Sequence, residues 1–219
     1  MFFESLESRS LMSATAFSTQ VTIDQLHIRA ALLKFRYDAV TTTATLIADC
    51  SALQAADVKK DTILAPLFTA LHREVKSMRH TLDLDRLTEA SNVLKDESVV
   101  VGEQEKYVAD LGNETARTAD RVQMRKDRIQ LQDDEIAGLN SRLATRESEQ
   151  TALTADLNAI TAAVGTDTGA STTLEAAVAQ FVTDRTASLA LFQTDLQAII
   201  TARTQLVNDL TASLTLTST

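Results

Sequence analysis

The sequence predicts an all-α protein: elongated antiparallel helical hairpins packed as a coiled-coil bundle, preceded by an extended N-terminal arm. Three observations point there. An apolar residue recurs at every seventh position from Leu87 through Leu94, Val101, Val108, Val122, Ile129, Ile136, Leu143 and Leu157 to Val164, interrupted only by Thr115 and Gln150. A seven-residue beat returns a side chain to nearly the same face of an α-helix every two turns. The 219 residues include only five glycines and one proline, too few to punctuate a fold of many short elements. Aromatic residues are 4% of the chain and Trp is absent, so the large rings that fill a globular core are scarce.

Residues 1–21, rich in Ser, Thr and Phe and without helical periodicity, read as the extended arm. Thr22 and Gln25 stand in capping-box spacing, which predicts the first helix from Thr22. Its apolar stripe runs Ile23, Leu26, Ala30, Leu33, Tyr37, Val40, Ala44, Ile47, then Leu53 and Ala56, in steps of three or four. The β-branched run Thr41–Thr43 weakens local propensity without forbidding a helix. A turn is expected over 57–62, with a second helix from Asp61 or Thr62. Pro66 then falls in the first turn, where a missing N–H is tolerated. Leu67, Leu71, Val75 and Met78 give that helix a buried face, and a break near His80–Thr81 is expected because Thr81 can cap.

The long ladder follows. The pairs Val93-Leu94, Val100-Val101 and Tyr107-Val108 widen its apolar face, and Gly112-Asn113 predicts a discontinuity with Asn as the next cap. Between Asn113 and Gln150 the seam is narrow. Gly165 to Ser171 is the clearest loop, holding two glycines, an Asp and hydroxyls. After it the stripe resumes through Leu174, Val178, Phe181, Val182, Leu189, Phe192, Leu196, Ile199, Leu206 and Leu210. Two long helices joined by so short a loop should fold back on each other. The expected seam comprises Val122, Ile129, Ile136, Leu143, Leu189, Leu196 and Ile199, with Ile129, Ile136 and Leu143 meeting Leu189, Leu196 or Ile199. The echo of Asp156-Leu157-Asn158-Ala159-Ile160 in Asp195-Leu196-Gln197-Ala198-Ile199 fits such a pairing. Three segments result: the arm 1–21, a helical hairpin region 22–112, and a long antiparallel coiled-coil hairpin 113–219 turning at 165–171.

Charge and chemistry narrow the function. A formal net charge of -9 disfavours nucleic acid and anionic membranes as partners. The local run Arg117, Arg121, Arg125, Lys126 and Arg128 interleaves with Asp120, Asp127, Asp133 and Asp134, the pattern of a solvated helix face. No stretch of about eighteen apolar residues predicts a transmembrane helix, and Met1–Ser5 lacks the basic and apolar regions of an ordinary secretory signal. The lone Cys50 lies in an apolar helical pattern and reads as a small buried hydrophobe. His72 and His80, two turns apart, lie too far from each other for one metal without a ligand between them. The pairs Asp133-Asp134 and Asp83/Asp85 read as surface features with no cause for a raised pKa. No nucleophile elbow or phosphate-cradling loop occurs, and the triplet Asn113-Glu114-Thr115 is a sequon of low information. No catalytic residue, cofactor or metal site is expected, and no enzymatic activity.

The arm carries one specific signal. Phe3, Glu4, Leu6, Glu7, Arg9, Leu11, Ser13 and Ala14 coincide with a pattern Phe-Glu-x-Leu-Glu-x-Arg-x-Leu-Leu-Ser-Ala, with Met12 in place of a common Leu. This stretch resembles a short N-terminal motif of surface and exported proteins from planctomycete-type bacteria. The resemblance implies sorting or export and covers residues 3–14 only; in that family the motif usually precedes larger proteins rich in β-structure. The expectation is a structural subunit of an extracellular or cell-surface helical filament, appendage or surface layer. It would be secreted and would self-associate as a homo-oligomer through its heptad seams and through arm contacts at Phe2, Phe3, Leu6, Leu11 and Phe17. The alternative is a cytoplasmic or periplasmic coiled-coil adaptor that binds a protein partner near Gly165. A heptad seam serves pairing within one chain and between chains equally well.

Overall fold

The computed structural model describes the backbone of residues 3–216, and side chains from Thr19 to Leu214 except those at 78, 79, 82, 83, 85, 86 and 89. Four long helices occupy nearly all of it: α1 (Phe3–Ala55), α2 (Leu64–Ala109), α3 (Glu114–Thr166) and α4 (Thr172–Leu216), with a single 3₁₀ turn at Val58–Lys60. Among the described residues there is no strand. The all-α class and the helical hairpins follow the sequence; several boundaries do not.

The arm is the first correction. Residues from Phe3 onward belong to α1, and the helix runs through Thr22 without a cap. Nothing between Phe3 and Val21 breaks a helix, because the segment contains neither Gly nor Pro. The side chains expected to make arm contacts, at Phe2, Phe3, Leu6, Leu11 and Phe17, lie outside the described residues. The break expected at His80–Thr81 is also absent, since α2 is continuous there. The Thr81 hydroxyl donates to the Ser77 carbonyl at 3.3 Å, one turn back, and so is not free to cap. Thr41 and Thr43 bond the carbonyls of Tyr37 and Ala39 in the same way, and α1 passes through the β-branched run intact.

The turns fall where turn chemistry places them. Asp57 takes the left-handed conformation, φ 60°, that ends α1. The Asp61 carboxylate then accepts the N–H groups of Ile63 and Leu64, each at 2.8 Å, which caps α2. Those bonds, led by the one from Leu64, hold the Asp61 carboxyl below its ordinary range. Asn113 caps α3 through Ala116 N–H at 3.2 Å, and Ser171 caps α4 through Leu174 N–H at 3.2 Å. The loop before α4 spans 167–171, because α3 continues through Gly165 to Thr166.

Packing divides the chain into two compact units, each built from segments of all four helices. Unit 1 comprises Met1–Leu32, Arg86–Asn140 and Ala198–Thr219; unit 2 comprises Leu33–Asp85 and Ser141–Gln197. The expected segments 22–112 and 113–219 thus each contribute to both units. In unit 2 the core joins Leu53, Leu64, Leu71, Leu153, Leu157, Ile160, Leu174, Val178 and Phe181, with Val58 from the 3₁₀ turn. Phe68 meets Phe181 edge to face at 5.5 Å. In unit 1 a smaller cluster of Ile28, Leu206 and Leu210 takes in Val21, Leu32, Ile129 and Ala202 from α1, α3 and α4.

The expected seam residues turn inward to different degrees: Leu196 and Ile199 are buried, while Val122, Ile129, Ile136, Leu143 and Leu189 are half-buried. Ile129 lies beside Leu206 and Leu210, further along α4 than the residues expected to meet it. Each half of the internal echo places its apolar pair inside, Leu157 with Ile160 and Leu196 with Ile199.

The core and the ladder make opposite predictions. Replacing Leu153, fully buried, by Ala should cost about 2–5 kcal/mol in urea unfolding, because a cavity forms. The same change at Leu94, 66% exposed, should move stability by no more than about 0.5 kcal/mol. Equal losses at the two positions would contradict this assignment of faces.

Candidate functional site

Two kinds of feature remain after the core is accounted for: carboxylates facing each other across helix pairs, and apolar lines facing outward. Both arise from which line of side chains each helix turns inward. On α1 the inward line is Asp24, Ile28, Phe35, Asp38, Thr42, Leu46, Asp49 and Leu53. The apolar stripe expected to be buried faces out instead: Ile23, Leu26, Leu33, Tyr37, Val40 and Ile47 are all exposed. The register is held by specific α1–α4 contacts. In unit 2, Phe35 meets Phe192 edge-on at 5.3 Å, and Lys34 reaches the buried Asp195 at 2.6 Å.

The ladder on α2 behaves alike. Leu87, Leu94, Val101 and Val108 are exposed, while Val93, Asp96, Val100, Glu103, Tyr107 and Asp110 are half-buried. The inward line is thus the expected one displaced by a residue, or about 100° around the helix. The seven-residue spacing carries on numerically across the turn at 110–113, but α2 and α3 are separate helices. Their heptad phases have no common geometric origin.

The inward carboxylates form levels. In unit 1, Asp24 on α1 faces Asp209 on α4. Burial pushes the Asp24 carboxyl above its ordinary range, the Asp209 carboxylate adds to this, and a hydrogen bond from Gln20 at 3.0 Å opposes it. In unit 2, Asp49 faces Asp184 and is raised by burial first and then by that neighbour. Between α2 and α3 in unit 1, Asp96 faces Asp134 and Asp120 faces Asp110; Asp96 and Asp120 are both raised, with burial again the main cause. Lys106, ion-paired with Glu103, also lies within the field of Asp120 and Asp127. Two carboxylates held close cannot both ionise freely, so such pairs retain a proton more readily than isolated ones. These levels were not expected from the sequence, where only neighbouring carboxylates attract notice.

Unit 2 contains a groove of about 450 Å³ between α1 and α4, lined by Phe35, Thr42, Leu46, Cys50, Arg185, Phe192 and others. The Arg146 guanidinium stacks over the Phe192 ring at 4.8 Å and pairs with Glu149 at 3.3 Å. Cys50, expected to be buried, is exposed as a residue. Its thiol is nevertheless pushed above the ordinary range, by burial and then by Asp49, which works against a reactive thiolate. The exposed histidines 27, 72 and 80 take no part. Among the described residues no group of three or more His, Cys, Asp or Glu is arranged to hold a metal ion.

In unit 1 the basic run is partly engaged rather than wholly solvated. The Tyr107 hydroxyl accepts hydrogen bonds from Arg117 at 2.8 Å and Arg121 at 3.2 Å, and both guanidinium groups lie over its ring. These bonds, that from Arg117 first, lower the Tyr107 pKa. Deeper in the unit, Arg203 on α4 pairs with Glu135 on α3 and donates to Gln132 Oε1 at 2.8 Å. Among the described residues no helix is long and apolar enough to cross a membrane.

Comparison of the chain with family models, with characterised proteins and with solved structures finds no match.

The carboxylate levels predict a direction for pH dependence. A carboxyl whose folded pKa lies above its unfolded value stabilises fully below the unfolded value, about 4 for Asp, and that stability is lost as pH rises through the folded value. Asp49→Asn should therefore raise the melting temperature at pH 7, with the advantage over the parent shrinking to nothing by about pH 4. Thermal melts of the two proteins across that range test it; a loss of stability at pH 7 would contradict the Asp49–Asp184 arrangement.

Proposed function

We propose that this chain is a structural subunit that assembles with copies of itself at the cell surface or outside the cell, in a filament, appendage or surface layer. The observation that carries the reading is the outward placement of the apolar heptad lines on α1 and α2. An exposed apolar residue alone means little, but a repeat of them along one helix is the pattern of a surface that is covered in use. Leu33, Val40 and Ile47 on α1, and Leu87, Leu94, Val101 and Val108 on α2, are such lines.

The location rests on the arm. Residues 3–14 resemble the export-associated motif of planctomycete-type surface proteins, and export would put the assembly outside the cytoplasm. The chemistry on view agrees with a mechanical role: the cysteine thiol is raised, and the histidines are exposed and dispersed.

Purified full-length protein should show concentration-dependent oligomers in sedimentation velocity and rods or polymers in negative-stain micrographs. Protease shaving of intact cells should degrade it. A strictly monomeric protein at all accessible concentrations would refute the assembly, and full protection from shaving would refute the surface location.

A further inference from the structure

The two outward lines differ in the charges beside them. Along the part of α1 in unit 2, from Leu33 to Gln54, the exposed charged residues are Lys34 and Arg36 alone, because Asp38 and Asp49 turn inward. Arg36 sits next to Tyr37, between Leu33 and Val40 on the exposed face. On α2, within unit 1, Glu97 and Glu105 are exposed and flank Val101 at helical spacings of four, while the exposed Lys95 and Lys106, the latter paired with Glu103, lie about 100° or more round the helix from Val101. Arg36, Glu97 and Glu105 have no ion-pair partner among the described residues.

We infer that the α2 line of one copy packs lengthwise on the unit 2 part of α1 in a second copy, with Glu97 and Glu105 beside Arg36. This rests on the self-assembly reading and names its contact. Pairing α1 with α1 would set Arg36 against cations, and pairing α2 with α2 would bring together the acids that flank Val101; the mixed pairing joins opposite charges directly beside the apolar lines. The contact closes as a two-fold dimer where each copy offers its α1 to the other's α2 at once, and otherwise repeats head-to-tail into a ring or a filament.

Sedimentation velocity on the full chain tests this. Arg36→Glu alone, or Glu97→Arg with Glu105→Arg, should weaken association about tenfold, the scale of a lost charge pair. The three changes combined in one chain should restore it. Circular dichroism should be unchanged throughout, because all three side chains are exposed. If the parent assembles but the charge reversals leave association untouched, the contact lies elsewhere and this inference fails while the self-assembly reading stands. If the parent is monomeric, both fail. In a Cys50→Ser background, a copy carrying Val40→Cys mixed with a copy carrying Val101→Cys should form a disulfide-linked pair under mild oxidation. A disulfide that forms only when both cysteines are in one chain would mean that α1 and α2 close on each other within a molecule, and would overturn the inference.

Discussion

A helix can turn only a limited arc of its surface toward its neighbours, and in α1 and the unit 1 part of α2 the arc turned inward is the more polar one. The rest of the structure depends on this choice. With Asp24, Asp38 and Asp49 inside, α1 meets α4 through carboxylates that face each other, one lysine and one pair of phenyl rings. Ile23, Leu26, Leu33, Val40 and Ile47 are left facing water. The same inversion on α2 sets Asp96 and Asp110 opposite α3 and leaves the regular ladder exposed. The region around Leu153, Ile160, Val178 and Leu64 joins all four helices in one apolar core.

That arrangement links stability to proton uptake. Burial and like charge both favour the protonated carboxyl at each level, so the folded chain gives up these protons at higher pH than the unfolded chain does. The effect is spread over both units and does not depend on any single pair. Asp61 works in the opposite sense, since its carboxylate is held ionised by backbone N–H groups at a helix start. The two behaviours follow from the surroundings of the oxygens: burial, and then another carboxylate, in one case, and hydrogen-bond donors in the other.

The helices and their ends were legible because their causes are local. Asp61, Asn113 and Ser171 cap the helices that follow them, and the Gly165–Ser171 stretch marks the turn between two long periodic segments. The inward faces of α3 and α4 were legible too, since their apolar lines are narrow and offer one choice. The faces of α1 and α2 were not. A heptad line shows that a surface wants cover without saying whether the same chain supplies it. The N-terminal segment is helical although its sequence lacks apolar periodicity, because nothing in it opposes a helix. The carboxylate levels did leave a trace: Asp24, Asp38 and Asp49 are spaced like Asp209, Asp195 and Asp184 read backwards, and Asp96, Glu103 and Asp110 mirror Asp134, Asp127 and Asp120. Such mirrored spacing signals antiparallel pairing only after the partners are known, so it could have ranked pairings but not proposed them.

Arg203 has a consequence of another kind. Its guanidinium keeps its charge at any physiological pH even though burial lowers its affinity for protons, and it finds Glu135 and Gln132 at one alignment of α3 against α4. Sliding either helix by one turn, about 5.4 Å, would strand that cation away from its acceptors while the leucines on each side found new neighbours of similar shape. Grease tolerates slippage and a buried cation does not, so this residue acts as a detent that fixes the register of α3 against α4.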